Sequence, residues 1–192
     1  IAEILKDRII GYAPVRMEAC SARKPGADVY IHLGKVRASG TLHDLCAQHT
    51  VHPPGKEKPN PEGFAVKTVQ DGKDRVVIAV GADDRGVLYA TGEILRRLRF
   101  AADQVELPAM DVSTSPGFRF RGFSANQGGT MKTATKARPW TGAEAHGVML
   151  DYALAGGNCF YAGDEAKLLS LMTTTGARPN QLLGAYPKEW DA

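Results

Sequence analysis

The chain has 192 residues, of which 43% are hydrophobic and 23% are charged, a composition typical of a folded globular protein. Its 24 Lys and Arg residues against 21 Asp and Glu leave a formal net charge of +3, too little to indicate a nucleic-acid partner. A membrane-spanning helix (about 18 apolar residues) and a complete (β/α)₈ barrel (about 250 residues) are both excluded, since no apolar run and no chain length here reach those values.

The first part of the chain alternates helical and extended patterns. Helices are predicted at 1–10 and 41–49, and strands at 28–34, 63–69 and 75–80. The Asp71-Gly72 pair suits a hairpin turn between the last two strands, because glycine tolerates positive φ. The strand at 75–80 is a nearly continuous apolar run, which predicts a central strand covered on both faces.

The clearest helix begins at Asp83 or Asp84, either of which can serve as the N-cap. Its apolar residues fall on one face, and three arginines are placed in its last turn, where cations interact favourably with the helix dipole. The apolar set is Val87, Leu88, Ile94, Leu95 and Leu98, and the basic set is Arg96, Arg97 and Arg99. An extended segment (104–112) and a linker (113–117) follow. Residues 1–112 are therefore predicted to form an α/β domain with a small, mostly antiparallel sheet and packed helices.

The pattern changes after Pro116. Aromatic and basic residues alternate over 118–123 and predict a strand. A capping box of Thr141 and Glu144 then predicts a helix that ends at Gly156-Gly157. A second strand at 158–162 and a helix from Asp164 complete a strand–helix–strand–helix series. This order is typical of the start of a parallel βαβ series. A helix already running at Ile1 agrees with a chain that is a piece of a longer protein.

Four potential metal ligands lie close together in the sequence. His43, Cys46, His49 and His52 follow one another at intervals of three residues. Imidazoles and a thiolate can form a tetrahedral zinc site, but this spacing matches no common structural motif. A polar surface helix that runs into a loop explains the pattern better, so metal binding is kept only as an alternative. The three cysteines, which include Cys20 and Cys159, show no disulfide framework and are interpreted as small buried side chains.

Other catalytic signatures are missing from the sequence. The segment around Gly128-Gly129 lacks the spacing of a phosphate-binding loop, and the sequence has no Gly-x-Ser-x-Gly elbow. The carboxylates of the second part, Glu144, Asp151, Asp164 and Glu165, do not form an evident catalytic pair, because capping explains Glu144 and Asp164. The sequence thus assigns no catalytic residue, no metal ligand and no cofactor.

The order of several segments resembles a known family. Residues 81–98 are similar to the "G-x-x-Y-G-x-x-T-L-x-x-L" helix of the non-catalytic domain that precedes the barrel in β-hexosaminidases and α-glucuronidases. Leu107-Pro108, Asp111 and the segment 116–122 resemble the "D-x-P-x-F-x-x-R-G" junction that leads into the first barrel strand. Residues 27–34 and 62–66 are similar to earlier strands of the same domain. The resemblance implies a β-hexosaminidase domain 2-like α/β fold over residues 1–112. It also implies that residues 118–192 are the truncated start of a catalytic (β/α)₈ barrel, with its first two βα units.

The resemblance also implies a function. It suggests the N-terminal portion of a glycoside hydrolase whose partners are a carbohydrate substrate and the rest of the barrel, with catalytic carboxylates beyond residue 192 and a periplasmic or secreted location. Arg121 matches the family arginine that binds hydroxyls of the terminal sugar, which makes it a candidate substrate-binding residue at the carboxyl end of the predicted strand. Residues 123–127 replace the Asp and Arg of hexosaminidases, which favours an α-glucuronidase-like or uncharacterised relative. A non-catalytic carbohydrate-binding or interaction module is the alternative.

Overall fold

The computed structural model describes residues 1–36, 39–55, 58–101, 104–124, 130–132, 137–139 and 142–161. The chain divides into two compact units, Ile1–Gly117 and Phe118–Ala192. In the described ranges, no helix combines the length and the apolar character needed to cross a bilayer.

The first unit is a mixed α/β structure. Its elements, in chain order, are α1 (Ala2–Ile10), β1 (Val29–Lys35), α2 (Thr41–His49), β2 (Phe64–Asp71), β3 (Asp74–Gly81), α3 (Asp84–Arg97), β4 (Arg99–Phe100), β5 (Val105–Glu106) and β6 (Asp111–Thr114). The predictions for the first three helices and for the strands β1 to β3 are confirmed to within two residues at each end.

Four strands form one sheet in the order β1-β3-β2-β6. The β1–β3 pair is parallel, whereas β2 pairs antiparallel with both β3 and β6. The β2–β3 hairpin turns at Gly72, whose φ of +62° suits glycine. The sheet is therefore mixed, with antiparallel pairing in the majority as predicted.

The core lies on both sides of β3. Val76 to Gly81 are all buried, and because successive side chains of a strand alternate between faces, both faces of β3 are covered. Ile78 clusters with Leu45 of α2 and with Val51 just after it, while α3 packs against β2 and β3. The prediction of a central, doubly covered strand is confirmed.

The start of α3 is packed against neighbouring backbone. A Cβ at Gly86 would lie 2.3 Å from the carbonyl oxygen of Gly63, and one at Gly81 would lie 2.2 Å from the backbone nitrogen of Val87. Real Cβ atoms do not approach other atoms so closely, so only glycine allows the strand β3 to turn this sharply into α3.

The end of α3 differs from the prediction. The helix ends at Arg97, and Arg99 belongs to β4, which pairs antiparallel with β5. Leu98 has ψ of 140°, so the backbone is already extended there. The placement of Arg99 in the last helical turn was wrong. The linker predicted at 113–117 also overlaps the sheet, because Ser113 and Thr114 pair with β2.

The second unit contains a βαβ arrangement. Its elements are β7 (Gly122–Ser124), β8 (Thr130–Lys132), β9 (Ala137–Pro139), α4 (Gly142–Leu154) and β10 (Cys159–Tyr161). Strands β7 and β10 pair in parallel, and β8 and β9 form an antiparallel hairpin. Helix α4 ends at Leu154, and Gly156, two residues later, has a φ of +96°, which agrees with the helix end predicted at the Gly-Gly pair. No closed barrel is present in the part of this unit that the structure describes.

The strand predicted at 118–123 is largely wrong. Only Gly122 and Phe123 of this segment belong to a strand, and Phe118 and Phe120 are 77% and 45% exposed. Alternation of side chains with a period of two does not by itself make a strand, because a strand also needs a neighbour to pair with. The residues before Gly122 have no neighbouring strand in the described region. Thr141, Asp164 and the predicted second helix of the series lie outside the described residues.

Candidate functional site

Arg121, the residue expected to bind sugar, lies at the start of β7. Its guanidinium donates hydrogen bonds to two backbone carbonyls, from Nε to Gly156 at 2.6 Å and from Nη1 to Phe118 at 2.5 Å. Because β7 begins at Gly122, Arg121 precedes the strand and does not lie at its carboxyl end. The predicted strand-end geometry for this residue was therefore wrong.

Two further side chains fix the backbone of Arg121. Asn158 is 6% exposed. Its Oδ1 accepts a hydrogen bond from the Arg121 backbone N–H at 2.9 Å, and its Nδ2 donates to the carbonyl of Arg119 at 2.8 Å. The hydroxyl of Tyr152 on α4 donates to the Arg121 carbonyl at 2.5 Å. We call Arg121, Tyr152 and Asn158 the strand-start cluster.

The side chains of the strand-start cluster form hydrogen bonds with backbone groups just before β7 and β10 begin. These groups belong to Phe118, Arg119, Arg121 and Gly156. A buried amide that makes both of its hydrogen bonds stabilises the local backbone, whereas one left without partners would destabilise it. Sequence analysis missed Tyr152 and Asn158 as partners of Arg121. The sequence does show that Asn158 directly follows the Gly-Gly pair at the end of a helix. That position does not indicate which strand the Asn158 side chain contacts.

The potential metal ligands of the sequence surround a different feature. His43, Cys46 and His52 line an open cavity of about 310 Å³ beside α2, together with apolar side chains that include Leu42 and Val80. Burial raises the pKa of the Cys46 thiol, so the neutral thiol is favoured over the thiolate that binds metals or attacks substrates. The cavity is thus an apolar recess without an activated nucleophile.

Metal binding gains no support from this arrangement. In the described ranges, no group of three or more His, Cys, Asp or Glu side chains is placed to hold a metal ion. His43 Nδ1 lies 3.1 Å from the carboxylate of Asp44, and His49 is not one of the residues around the cavity. Cys20, interpreted from the sequence as buried, is exposed, and Cys46 is half-buried.

Of the four candidate carboxylates of the second unit, the structure describes two, and both lie on α4. Asp151 is an exposed residue of α4, and Glu144 lies in the first turn of the same helix. Asp164 and Glu165 lie outside the described residues. The candidate site that the structure does describe is therefore the strand-start cluster around Arg121.

Comparison with known proteins gives a distant similarity among solved structures. No protein-family model matches the chain, and no curated protein matches it. Among solved structures, the chain is similar to CpGH84B, a GH84 glycoside hydrolase, with a TM-score of 0.42 and 17% sequence identity over 71% of this chain. The chain spans 24% of the length of that solved chain.

Proposed function

We propose that the chain is the N-terminal portion of a glycoside hydrolase. In this proposal, residues 1–112 form its non-catalytic α/β domain, and 118–192 begin the catalytic (β/α)₈ barrel. The segment 113–117 connects the two, and its first residues, Ser113 and Thr114, still pair with the sheet of the first unit. The proposal is supported by the order of the family-like segments in the sequence and by a fold in which a small mixed sheet with packed helices precedes a βαβ arrangement.

The parallel pair of β7 and β10 is the observation that carries the proposal. These strands pair from Gly122 with Cys159 to Ser124 with Tyr161, and α4 lies between them in the chain. Parallel neighbours need a long crossover connection, which is usually a helix. Strand, helix and parallel strand form the repeating unit of a (β/α)₈ barrel, and the first family-like barrel strand is the one that contains Gly122.

Catalysis would use groups outside this chain. Glycosidases use a pair of carboxyl groups on either side of the scissile bond, and the family resemblance puts them on later barrel strands. We therefore expect residues 1–192 alone to be inactive, and the intact protein to hydrolyse a glycosidic bond.

Arg121 remains a proposed sugar-binding residue, now with a second role. A guanidinium has five N–H donors in a planar fork, and two of them serve the carbonyls of Gly156 and Phe118. A sugar contact would have to form without breaking these bonds. In the intact enzyme, R121K keeps the charge but loses the fork, so we expect it to reduce sugar binding and the stability of the second unit together.

The test compares two proteins with a panel of aryl glycosides. The gene product that contains residues 1–192 and the further βα units is expected to release the aryl group from at least one sugar. The purified chain 1–192 is expected to release none. Turnover by the short chain alone would contradict the proposal, as would a long gene product that folds but has no activity on any member of the panel.

The second candidate function is a non-catalytic carbohydrate-binding module. One observation favours it: Tyr12 and Phe100 are 70% and 41% exposed, and their ring centroids lie 5.6 Å apart. Exposed apolar surface of this kind is a common feature of ligand-binding sites. Binding of immobilised glycans by the chain 1–192, lost in Y12A and in F100A, would support this function, whereas no binding would exclude it.

A further inference from the structure

The segment between α1 and β1 is held by polar contacts. Of residues 11–28, all of which the structure describes, Ala13 alone is buried. We call these residues the 11–28 segment. With so little apolar burial, its position depends on the few hydrogen bonds and ion pairs that it makes with the sheet.

Arg23 makes most of these contacts. Its guanidinium bonds to Asp71 Oδ2 at 2.7 Å and lies 3.6 Å from Asp74 Oδ2, so it bridges both carboxylates of the β2–β3 turn. The same group lies over the ring of Tyr30, 5.4 Å from its centroid. The Tyr30 hydroxyl in turn donates to the carbonyl of Lys24 at 2.5 Å.

The remaining contact of Arg23 involves an imidazole. Arg23 Nε donates a hydrogen bond to His32 Nε2 at 3.0 Å. An arginine can only donate, so Nε2 must be the unprotonated ring nitrogen and the proton of the neutral ring lies on Nδ1. Protonation of Nε2 would remove this acceptor and put two cations in contact.

The surroundings agree with a neutral His32. Burial lowers the pKa of His32, and the Arg23 charge lowers it further, while Asp71 opposes both. Asp74 of the turn faces the Arg23 guanidinium, and His49 of α2 lies close enough to Asp71 to lower the pKa of that carboxyl. Helix α2 also contributes Gln48, whose amide donates to Asp71 Oδ1 at 3.4 Å.

We propose that the Arg23–His32 hydrogen bond is a proton-sensitive latch, which holds the 11–28 segment against the sheet when His32 is neutral and releases it when His32 is protonated. The inference is independent of the proposed function, since it rests only on contacts within the first unit.

The sign and size of the effect follow from proton linkage. The docked segment disfavours the protonated ring, so docking is complete above the ordinary histidine pKa of about 6.5 and weakens as the pH falls below it. Release takes up one proton, so the ratio of released to docked segment rises by at most about tenfold between pH 7.5 and pH 5.5. The Arg23–Asp71 ion pair is lost only at lower pH, because the hydrogen bond from Arg23 holds the pKa of Asp71 below its usual value of 3.8.

The exposed Cys20 provides a probe within the segment. A nitroxide label on Cys20, in a chain with C46A and C159S, reports segment mobility by electron paramagnetic resonance from pH 7.5 to pH 5.0. Two variants accompany it. H32Q places an amide oxygen where Arg23 can still donate but no proton can be taken up, and H49Q removes the second imidazole of the neighbourhood. Far-UV circular dichroism verifies that each variant is folded at every pH.

We expect the mobile fraction to rise with falling pH in the parent chain and in H49Q, and to stay constant in H32Q. A pH-independent parent spectrum would overturn the proposal. It would also be overturned by an equal rise in H32Q, or by loss of the rise in H49Q with retention in H32Q, since His49 would then be the sensor. An R23Q variant that is mobile at every pH would support Arg23 as the group that is released.

Discussion

The carboxylate of Asp83 accepts a 2.8 Å hydrogen bond from the backbone N–H of Gly86 and so caps helix α3. Its second oxygen accepts another, also 2.8 Å long, from the backbone N–H of Glu62. One side chain therefore joins the start of α3 to the loop that enters β2. Arg85 strengthens the same junction through a 2.6 Å bond to the Glu62 carboxylate.

Replacing Asp83 is predicted to weaken both connections. D83A should lower the free energy of unfolding by about 2 kcal/mol, because it leaves two backbone donors without their acceptor. D83N should lower the free energy of unfolding by about half as much. Its amide oxygen can still accept from the Gly86 N–H, but its NH₂ group cannot accept from the Glu62 N–H. Urea denaturation measures both variants, and equal stabilities of D83A and the parent chain would refute the double cap.

Two glycine-to-alanine changes are predicted to have opposite signs. G86A should destabilise the chain by at least about 2 kcal/mol, because its Cβ would collide with the Gly63 carbonyl oxygen at 2.3 Å, a backbone atom that cannot move cheaply. G147A is the matched control within α4, where no described atom lies within 4 Å of the new Cβ. Alanine should stabilise that helix by about 0.5–1 kcal/mol. Thermal unfolding of the two variants tests the contrast; a stabilising G86A would contradict the close approach.

We predict that replacing Asn158 by either alanine or aspartate destabilises the second unit. N158A should destabilise the second unit by about 2 kcal/mol, since it leaves the Arg121 N–H and the Arg119 carbonyl without partners. N158D should be at least as harmful, because a carboxylate can accept from Arg121 but cannot donate to Arg119. Hydrogen exchange of the backbone amides of 119–124 and 158–161 measures the effect. Unchanged protection in N158D would show that the amide does not hold these strands.

Glu93 is predicted to contribute an acid-sensitive part of the stability. Burial alone would raise the pKa of this carboxyl, but the bonds from Arg97 and Arg96 outweigh burial and lower it. The contribution is therefore present above the usual pKa of 4.5 and is lost as the pH falls through the lowered value in the folded chain. E93Q should lower the free energy of unfolding by less than about 1 kcal/mol near neutral pH. Between pH 5 and pH 3, the free energy of unfolding of E93Q should decline less than that of the parent chain.

The control for Glu93 is E106Q. Glu106 lies 3.8 Å from Arg99, and both side chains are more than half exposed, so we expect little change in stability at any pH. Urea unfolding at pH 7, 5, 4 and 3 compares the two variants. If both follow the parent curve, the Glu93 pairs make no measurable contribution.

Hydrophobic patterns in the sequence predicted most of the helices and strands of the first unit. The apolar run at 75–80 identified β3 as central because a strand covered on both faces needs no polar alternation. The N-cap at Asp83 and the turn at Gly72 were equally readable, since each depends on local backbone chemistry. The parallel pairing of β1 with β3 was not, because pairing partners depend on contacts between residues far apart in the sequence.

The strand-start cluster shows why the candidate site was only partly predictable. Alternating residues at 118–123 have the period of a strand, but a strand also requires a neighbour, and in the described residues β10 pairs only with 122–124. The partners of Arg121 include the backbone carbonyl of Gly156 and the buried amide of Asn158, both more than 30 residues away in the chain. Sequence spacing cannot identify backbone carbonyls as hydrogen-bond acceptors, so these contacts of the Arg121 guanidinium could not be predicted.

The most direct test of the glycoside hydrolase assignment is the rate of aryl-glycoside hydrolysis by the gene product that continues past residue 192, measured beside the chain 1–192. The account predicts release of the aryl group from at least one sugar by the long protein and none by the short chain. Hydrolysis by the short chain, or a folded long protein that binds glycans without cleaving any of them, would contradict it.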